Sequence, residues 1–203
     1  MRHLIATFIA CLLAASCQAN ESQFAGIVSS ATPEATAAGV AILEAGGNAI
    51  DAAVAVSLTL GVTEPAGSGI AGQTVMLIKR RGEPAFVVQG TTWSPREIPA
   101  DATTEQLRYG HTASTVPSTL RVLDLAHRRF GSGQLAWSDL VQPAIDNAQQ
   151  GFILGPFRQR AFRNYGDDLA RQDIARGIFF REDGSGYQVG DTLRQPLLAA
   201  TLR

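Results

Sequence analysis

Glycines cluster in the stretch EPAGSGIAGQ, from Glu64 to Gln73, where the backbone itself could take part in chemistry. Glycine has no Cβ atom, so the main chain can approach a ligand or a second chain closely. Such clusters are also common in ordinary connectors, and spacing alone leaves a binding loop and a flexible link both open. A phosphate-binding loop is excluded because its Lys-Ser/Thr ending is absent. A serine nucleophile elbow is excluded because AGSGIAG precedes a predicted strand, not a helix.

The histidines do not form a metal site or a catalytic set by their spacing. His111 and His127 are far apart in the sequence, and neither has a histidine or acidic residue four positions away. We expect His127 to be a surface residue of its helix. No metal site is therefore predicted, and spacing assigns no catalytic residue in this chain.

A helix precedes the glycine-rich stretch. Thr32 is suited to cap it, and Pro33 fits the first helical position, where the backbone N–H has no partner in any case. Gly46 or Gly47 can supply the residue that ends it.

A second helix follows with hardly any polar face. Asn48 can cap it, with Asp51 three residues later as a variant of the capping box. Residues 52–60 are almost all apolar and mostly small, so this helix should be buried on most sides. We expect it to pack as a layer between a sheet and another helix.

The remaining elements are predicted from hydrophobic periodicity and turn residues. Pro143 lies inside one of the helical patterns and is expected to break or kink it. The predicted elements are strands at 25–30, 74–80 and 85–90, and helices at 118–130 and 138–151.

Composition limits the class of protein. The 203 residues suffice for one domain or slightly more, and the formal net charge is -1. No stripe of basic residues is present, so nucleic acid is not an expected partner.

The N-terminus has the pattern of a secretory signal peptide, predicted over residues 1–19 with the rest of the chain, 20–203, as the mature part. Arg2 and His3 precede an apolar stretch that is shorter than the about 20 residues a membrane span needs. The sequence LAASC offers an alternative, a lipoprotein signal with Cys17 as the lipid anchor. Both cysteines lie in this segment, so no internal disulfide is expected in the mature chain. The predicted location is periplasmic or secreted.

From about Gly26 to the end, the order of segments resembles the γ-glutamyltranspeptidase family. The resemblance is carried by GIVSSATPEATAAGVAILEAGGNAIDAAVAVSLTLGVTEPAGSGIAG, VPSTLRVLDLAHRRFG, AWSDLVQPAIDNAQQGF and GDTLRQPLLAATL.

This resemblance implies an α/β fold of the N-terminal-nucleophile hydrolase type, a four-layer αββα sandwich of which this chain is the N-terminal part of the large subunit. It implies self-cleavage of a precursor, a small subunit as partner, and no metal or cofactor. The nucleophile would be the threonine that begins the small subunit, beyond Arg203, with its own amine as the base. The substrate would be a γ-glutamyl amide such as glutathione.

The sequence also departs from the family pattern. An arginine after the hairpin usually holds the α-carboxylate of the substrate, a role suited to the guanidinium fork. In GTTWSPREIPADAT, one register places Thr91 at that position and the other places Arg96 there. Ser118 stands where glycine is usual. Two alternatives therefore stay open: an acylase-like relative with another acyl substrate, and an inactive exported paralogue that acts as a binding module.

Overall fold

The computed structural model describes residues 26–203. The predicted signal peptide, residues 1–19, and the lipid anchor at Cys17 lie outside the described residues. Within the described part of the chain, no helix combines the length and the apolar character that a membrane span requires.

Helices α1 (Pro33–Glu44) and α2 (Ala49–Thr63) begin at the predicted caps. The backbone N–H of Ala35 donates to Thr32 Oγ1 at 3.3 Å. The amide oxygen of Asn48 accepts from the N–H of Asp51 at 3.1 Å, and the Asp51 carboxylate accepts from the N–H of Asn48 at 3.0 Å. The capping-box prediction is therefore confirmed.

Helix α2 is the centre of the core, as its apolar sequence predicts. It packs against α1, α4 (Thr119–Phe130) and α5 (Trp137–Gln150). Val54, Leu58 and Val62 are fully buried. Its most extensive contacts in the described chain are with helices, and Ile50 in its first turn belongs to the apolar cluster that also holds Ile78 and Val88 of the sheet.

Strands β1 (Thr74–Lys79) and β2 (Ala85–Gly90) form the predicted antiparallel hairpin. One face of the hairpin packs on α4 through Ile78 and Val88. The other face carries three side chains that no described element covers. They are Val75, Leu77 and Val87, which are 64%, 71% and 60% exposed.

The rest of the chain forms a helical region closed by a second, very short antiparallel pair. Strand β3 (Phe152–Ile153) pairs with β4 (Thr192–Leu193). Around them lie a four-residue helical turn and four further helices. These are α3 (Pro65–Ser68), α6 (Pro156–Asn164), α7 (Gly166–Ala170), α8 (Asp173–Phe179) and α9 (Pro196–Leu202), with a 3-10 turn at His111–Ala113.

One local prediction is wrong, and of the two outcomes predicted for Pro143, a break does not occur. Residues 26–30 belong to neither sheet of the described chain, because no described strand lies beside them. Pro143 does not break its helix, since α5 continues through it to Gln150. Buried contacts of Leu140, Ala144 and Ala148 on the same helix outweigh the one backbone hydrogen bond that proline removes.

Candidate functional site

Three segments that the sequence singled out converge at one place: the end of the glycine-rich loop, the end of β2 and the start of α4. The backbone N–H groups of Ser118 and Thr119 both donate to the carbonyl of Gly72, at 3.0 and 3.2 Å. Ser118 Oγ donates to the carbonyl of Gly90 at 2.9 Å, and the hydroxyls of Thr74 and Thr119 are 2.9 Å apart. The φ angle of Ser118 is -132°, which any residue adopts, so replacing glycine here causes no strain.

A groove of about 780 Å³ opens on one side of this convergence. Its walls are residues 26–29, the half-buried side of α2 and the glycine-rich loop. None of the described residues that line it carries a titratable side chain. Among the described residues, then, no acid or base lines the groove directly, and the carboxylate of Glu64 reaches it only through its hydrogen bond with Ser68.

The glycine-rich loop is more ordered than a simple link. It begins with the helical turn α3, where Ser68 Oγ donates to Glu64 Oε2 at 2.8 Å. A Cβ atom on Gly61 of α2 would lie 2.3 Å from Ile70 Cγ2, so the loop lies directly on the helix backbone. No glycine between positions 61 and 72 has a positive φ angle. The glycines here serve close approach, which favours the binding-loop interpretation over a flexible link.

Buried side chains from distant elements hold the last turn of α2, directly before this loop. Gln195 Nε2 donates to the carbonyl of Val62 at 2.8 Å, and Arg158 Nη1 lies 3.5 Å from the carbonyl of Thr63. The hydroxyls of Thr32 and Thr63 are 2.9 Å apart. Sequence analysis missed Arg158 and Gln195, because neither has a local pattern that points to a partner so far away in the chain.

Arg158 is held by a bidentate ion pair. Its two terminal nitrogens lie 2.9 and 3.1 Å from the carboxylate oxygens of Glu34, and its guanidinium lies 4.9 Å from the centre of the Phe152 ring. It also donates to the carbonyl of Ile153. The pair joins the first turn of α1 to α6.

A second cleft, of about 650 Å³, lies on the other side of the convergence, between the loop after β2 and α4. Thr91 and Arg96, the two candidates for the carboxylate-binding position, both line it. Arg121 of α4 lines it too, and Trp93 lies on its wall. Within the described residues, neither Arg96 nor Arg121 has a carboxylate at ion-pair distance. The structure thus brings both candidates to one cleft.

His127 does not lie on the surface of its helix, contrary to the sequence-based expectation. Its side chain is 13% exposed, and Nδ1 lies 3.0 Å from the fully buried carboxylate of Asp51. Burial raises the pKa of Asp51, but hydrogen bonds from Ser132, Asn48 and His127 outweigh it, so that this pKa lies below its ordinary value. The group joins the start of α2 to the end of α4, and Asp51 and His127 do not line the groove. Its role is therefore structural.

Known proteins share both the sequence pattern and the fold. The family model described as Gamma-glutamyltranspeptidase matches residues 35–203. A glutathione hydrolase proenzyme of Escherichia coli is 33% identical over 186 residues, which cover 87% of this chain and 32% of that protein. The Acylase ACY 1 proenzyme of a Pseudomonas species is 34% identical, with 88% of this chain and 34% of that protein covered. The chain thus spans about a third of the length of these relatives.

The crystal structure of Helicobacter pylori gamma-Glutamyltranspeptidase superimposes with a TM-score of 0.77 at 26% identity, covering 90% of this chain and 54% of that one. The fold is therefore the α/β fold of the N-terminal-nucleophile hydrolases, of which the described residues form a part. Together, the match to residues 35–203 and these similarities establish that the chain belongs to the γ-glutamyltranspeptidase family.

Proposed function

We propose that this chain is the N-terminal part of an enzyme precursor that hydrolyses γ-glutamyl amides, such as glutathione, or transfers their γ-glutamyl group. The observation that carries the proposal is the groove beside the glycine-rich loop, which is open, walled by closely approaching backbone and free of titratable side chains among the described residues. Such a groove suits a nucleophile that arrives on another segment and brings its own base. An N-terminal threonine does this, since its hydroxyl attacks and its amine accepts the proton.

The partner that completes the groove is a small subunit cut from the same precursor. Two features of the described chain support this. The outer face of the hairpin exposes three large aliphatic side chains, and exposed apolar patches of this kind mark contact surfaces. Residues 26–30 make no backbone hydrogen bond to another described residue, and Ile27 is 97% exposed. An incoming strand would satisfy the backbone groups of residues 26–30, and apolar side chains of the same subunit would cover the outer face of the hairpin.

Arg96 is our proposed ligand of the substrate's α-carboxylate. It is exposed, lines the cleft next to the convergence, and its guanidinium can bind a carboxylate through two parallel hydrogen bonds. Thr91, the alternative, could offer only one hydroxyl donor. Arg96→Ala should raise KM for γ-glutamyl-p-nitroanilide about tenfold or more, since hydrogen bonds to charged groups contribute about 1.5–3 kcal/mol.

The matched variants separate the two candidates. Arg96→Lys keeps the charge but loses the fork, so its KM should lie between those of the wild type and the alanine variant. Thr91→Ala should leave KM unchanged. If Thr91→Ala raises KM and Arg96→Ala does not, Thr91 takes the carboxylate-binding role instead.

An acylase-like activity is a second candidate, favoured by the similarity to the Acylase ACY 1 proenzyme and by threonine in one register of the carboxylate-binding position. Purified full-length protein should first be checked for self-cleavage by mass spectrometry. Release of p-nitroaniline from γ-glutamyl-p-nitroanilide is then expected. Cleavage of a non-glutamyl acyl amide alone would support the acylase, and an uncleaved protein inactive on both would indicate a binding module.

The location is proposed to be periplasmic or secreted, with residues 1–19 as a signal peptide or Cys17 as a lipid anchor. N-terminal mass analysis of the mature protein distinguishes these two. A start after Ala19 supports a cleaved soluble form, and a lipid-modified Cys17 supports an anchored one.

A further inference from the structure

The position of the glycine-rich loop depends on the end of α2, because no flexible residue separates the last turn of the helix from the start of the loop. Glu64 donates its backbone N–H to the carbonyl of Leu60 at 2.8 Å, and so continues the last turn of α2. The carbonyl of Glu64 then accepts from the N–H groups of Gly67 and Ser68, at 3.1 and 2.9 Å. Any displacement of the last turn of α2 is therefore passed to the loop and to the groove wall that it forms.

The last carbonyls of a helix have no partners within that helix. At the end of α2 they are buried, and Gln195 supplies the donor for Val62 at 2.8 Å. Gln195 is itself fixed by two hydrogen bonds of its backbone. Its N–H donates to the carbonyl of Ala148 at 2.8 Å, and its carbonyl accepts from Ala199 at 3.0 Å in the first turn of α9. Gln195 itself is only 5% exposed.

We infer that Gln195 is a positioning residue for the reaction proposed above: its hydrogen bond to the Val62 carbonyl fixes the end of α2 and thereby the glycine-rich loop at the groove. The inference rests on the proposed function. Gln195 does not line the groove, so it acts through the loop and not on the substrate. A displacement of about 1 Å at a reacting centre can lower the rate about a hundredfold.

The test uses two substitutions at Gln195 in the full-length protein. Gln195→Leu has no donor, so the Val62 carbonyl is left without its partner at every pH. Gln195→Glu has a donor only while the carboxyl group is protonated, and burial favours that neutral form. Gln134→Glu is the matched control, because Gln134 is exposed and its side chain makes no hydrogen bond to the described residues.

The measurements are kcat and KM for γ-glutamyl-p-nitroanilide from about pH 8 to about pH 5.5, a range in which buried glutamic acids titrate. They are made on the self-cleaved fraction and below the unfolding temperature of every variant. We expect kcat of Gln195→Leu to fall about tenfold or more at all pH values, with a smaller change in KM. For Gln195→Glu, kcat relative to the wild type should recover as the pH is lowered. Gln134→Glu should follow the wild type throughout.

Hydrogen exchange of residues 64–72 provides a readout that does not depend on activity. Exchange should be faster in Gln195→Leu, and in Gln195→Glu it should slow towards the wild type, after correction for the intrinsic pH dependence, as the pH falls. Any of three results would overturn the inference. The first is a wild-type kcat in both variants, and the second is a dependence of kcat on pH in Gln195→Glu that runs parallel to that of Gln195→Leu. The third is unchanged hydrogen exchange in the loop. A wild type without γ-glutamyl activity would overturn the proposed function instead, and loop exchange would still decide whether Gln195 holds the loop.

Discussion

Replacing Arg158 by leucine should destabilise the protein strongly, because Glu34 would keep its charge in a largely buried place without a partner. The side chains of Arg158 and Glu34 are 9% and 21% exposed. Breaking a buried ion pair on one side costs about 3–5 kcal/mol. The partial exposure of Glu34 lets water solvate the remaining charge, so we expect the lower end, about 3 kcal/mol. A loss of about 3 kcal/mol lowers Tm by about 6–12 °C when about 150–250 residues unfold as one unit, and by less when the longer full-length chain does.

The double variant Arg158→Leu/Glu34→Leu tests the reason for this loss. Removing both charges avoids the uncompensated carboxylate, and an apolar pair of similar volume is often as stable as the ion pair. The Tm of the double variant should therefore lie above that of Arg158→Leu. Arg163→Leu, on the exposed side of the same helix, is the control and should change Tm little. The Tm of each variant is measured by scanning fluorimetry of the full-length protein. A double variant less stable than Arg158→Leu alone would refute the reasoning.

Two further predictions concern other contacts of α2. The pKa of Asp51 is lowered in the folded protein, so its carboxylate stabilises the fold above the unfolded pKa of about 3.9, and this contribution is lost as the pH falls through the lower folded value. Asp51→Asn should thus lower Tm at neutral pH and weaken the fall of Tm below about pH 4. The same change at the exposed Asp146 should do neither. If the dependence of Tm on pH is the same for both variants, the reasoning is contradicted. Gly61→Ala would place a Cβ atom 2.3 Å from Ile70 Cγ2 and should cost about 1–3 kcal/mol by overpacking. Adding Ile70→Ala should make room for the new Cβ atom, so the double variant should lose less Tm than the sum of the two single losses. A loss equal to that sum would show that the two residues do not clash.

Much of the local structure could be predicted because it depends on neighbours in the sequence. The caps at Thr32 and at Asn48 with Asp51 use side chains within three residues of the backbone groups that they satisfy. The hairpin follows from two apolar runs around a short turn. The burial of α2 follows from a sequence with almost no polar face. The family pattern is carried by the same segments, so the fold class could be recognised before any contact was known.

The candidate site could be predicted only in part. The glycine-rich loop, the two candidates for the carboxylate position and Ser118 were singled out from the sequence. Their convergence around Gly72 and Gly90 could not be, because the hydrogen bonds that produce it join residues 28 to 47 positions apart. Contacts between residues so far apart in the sequence leave no trace in local periodicity or turn chemistry.

The sequence by itself determined the caps, the hairpin, the apolar character of α2 and the family, since each is encoded in short segments or in their order. Only the tertiary structure decided that Pro143 stays within a helix and that His127 packs against the buried Asp51. It also decided that Arg158 and Gln195 meet the end of α2. The physical reason is the same in each case. Burial removes water as the alternative partner, so a buried polar group, or a helix position without its hydrogen bond, is tolerated where contacts with distant residues compensate for it.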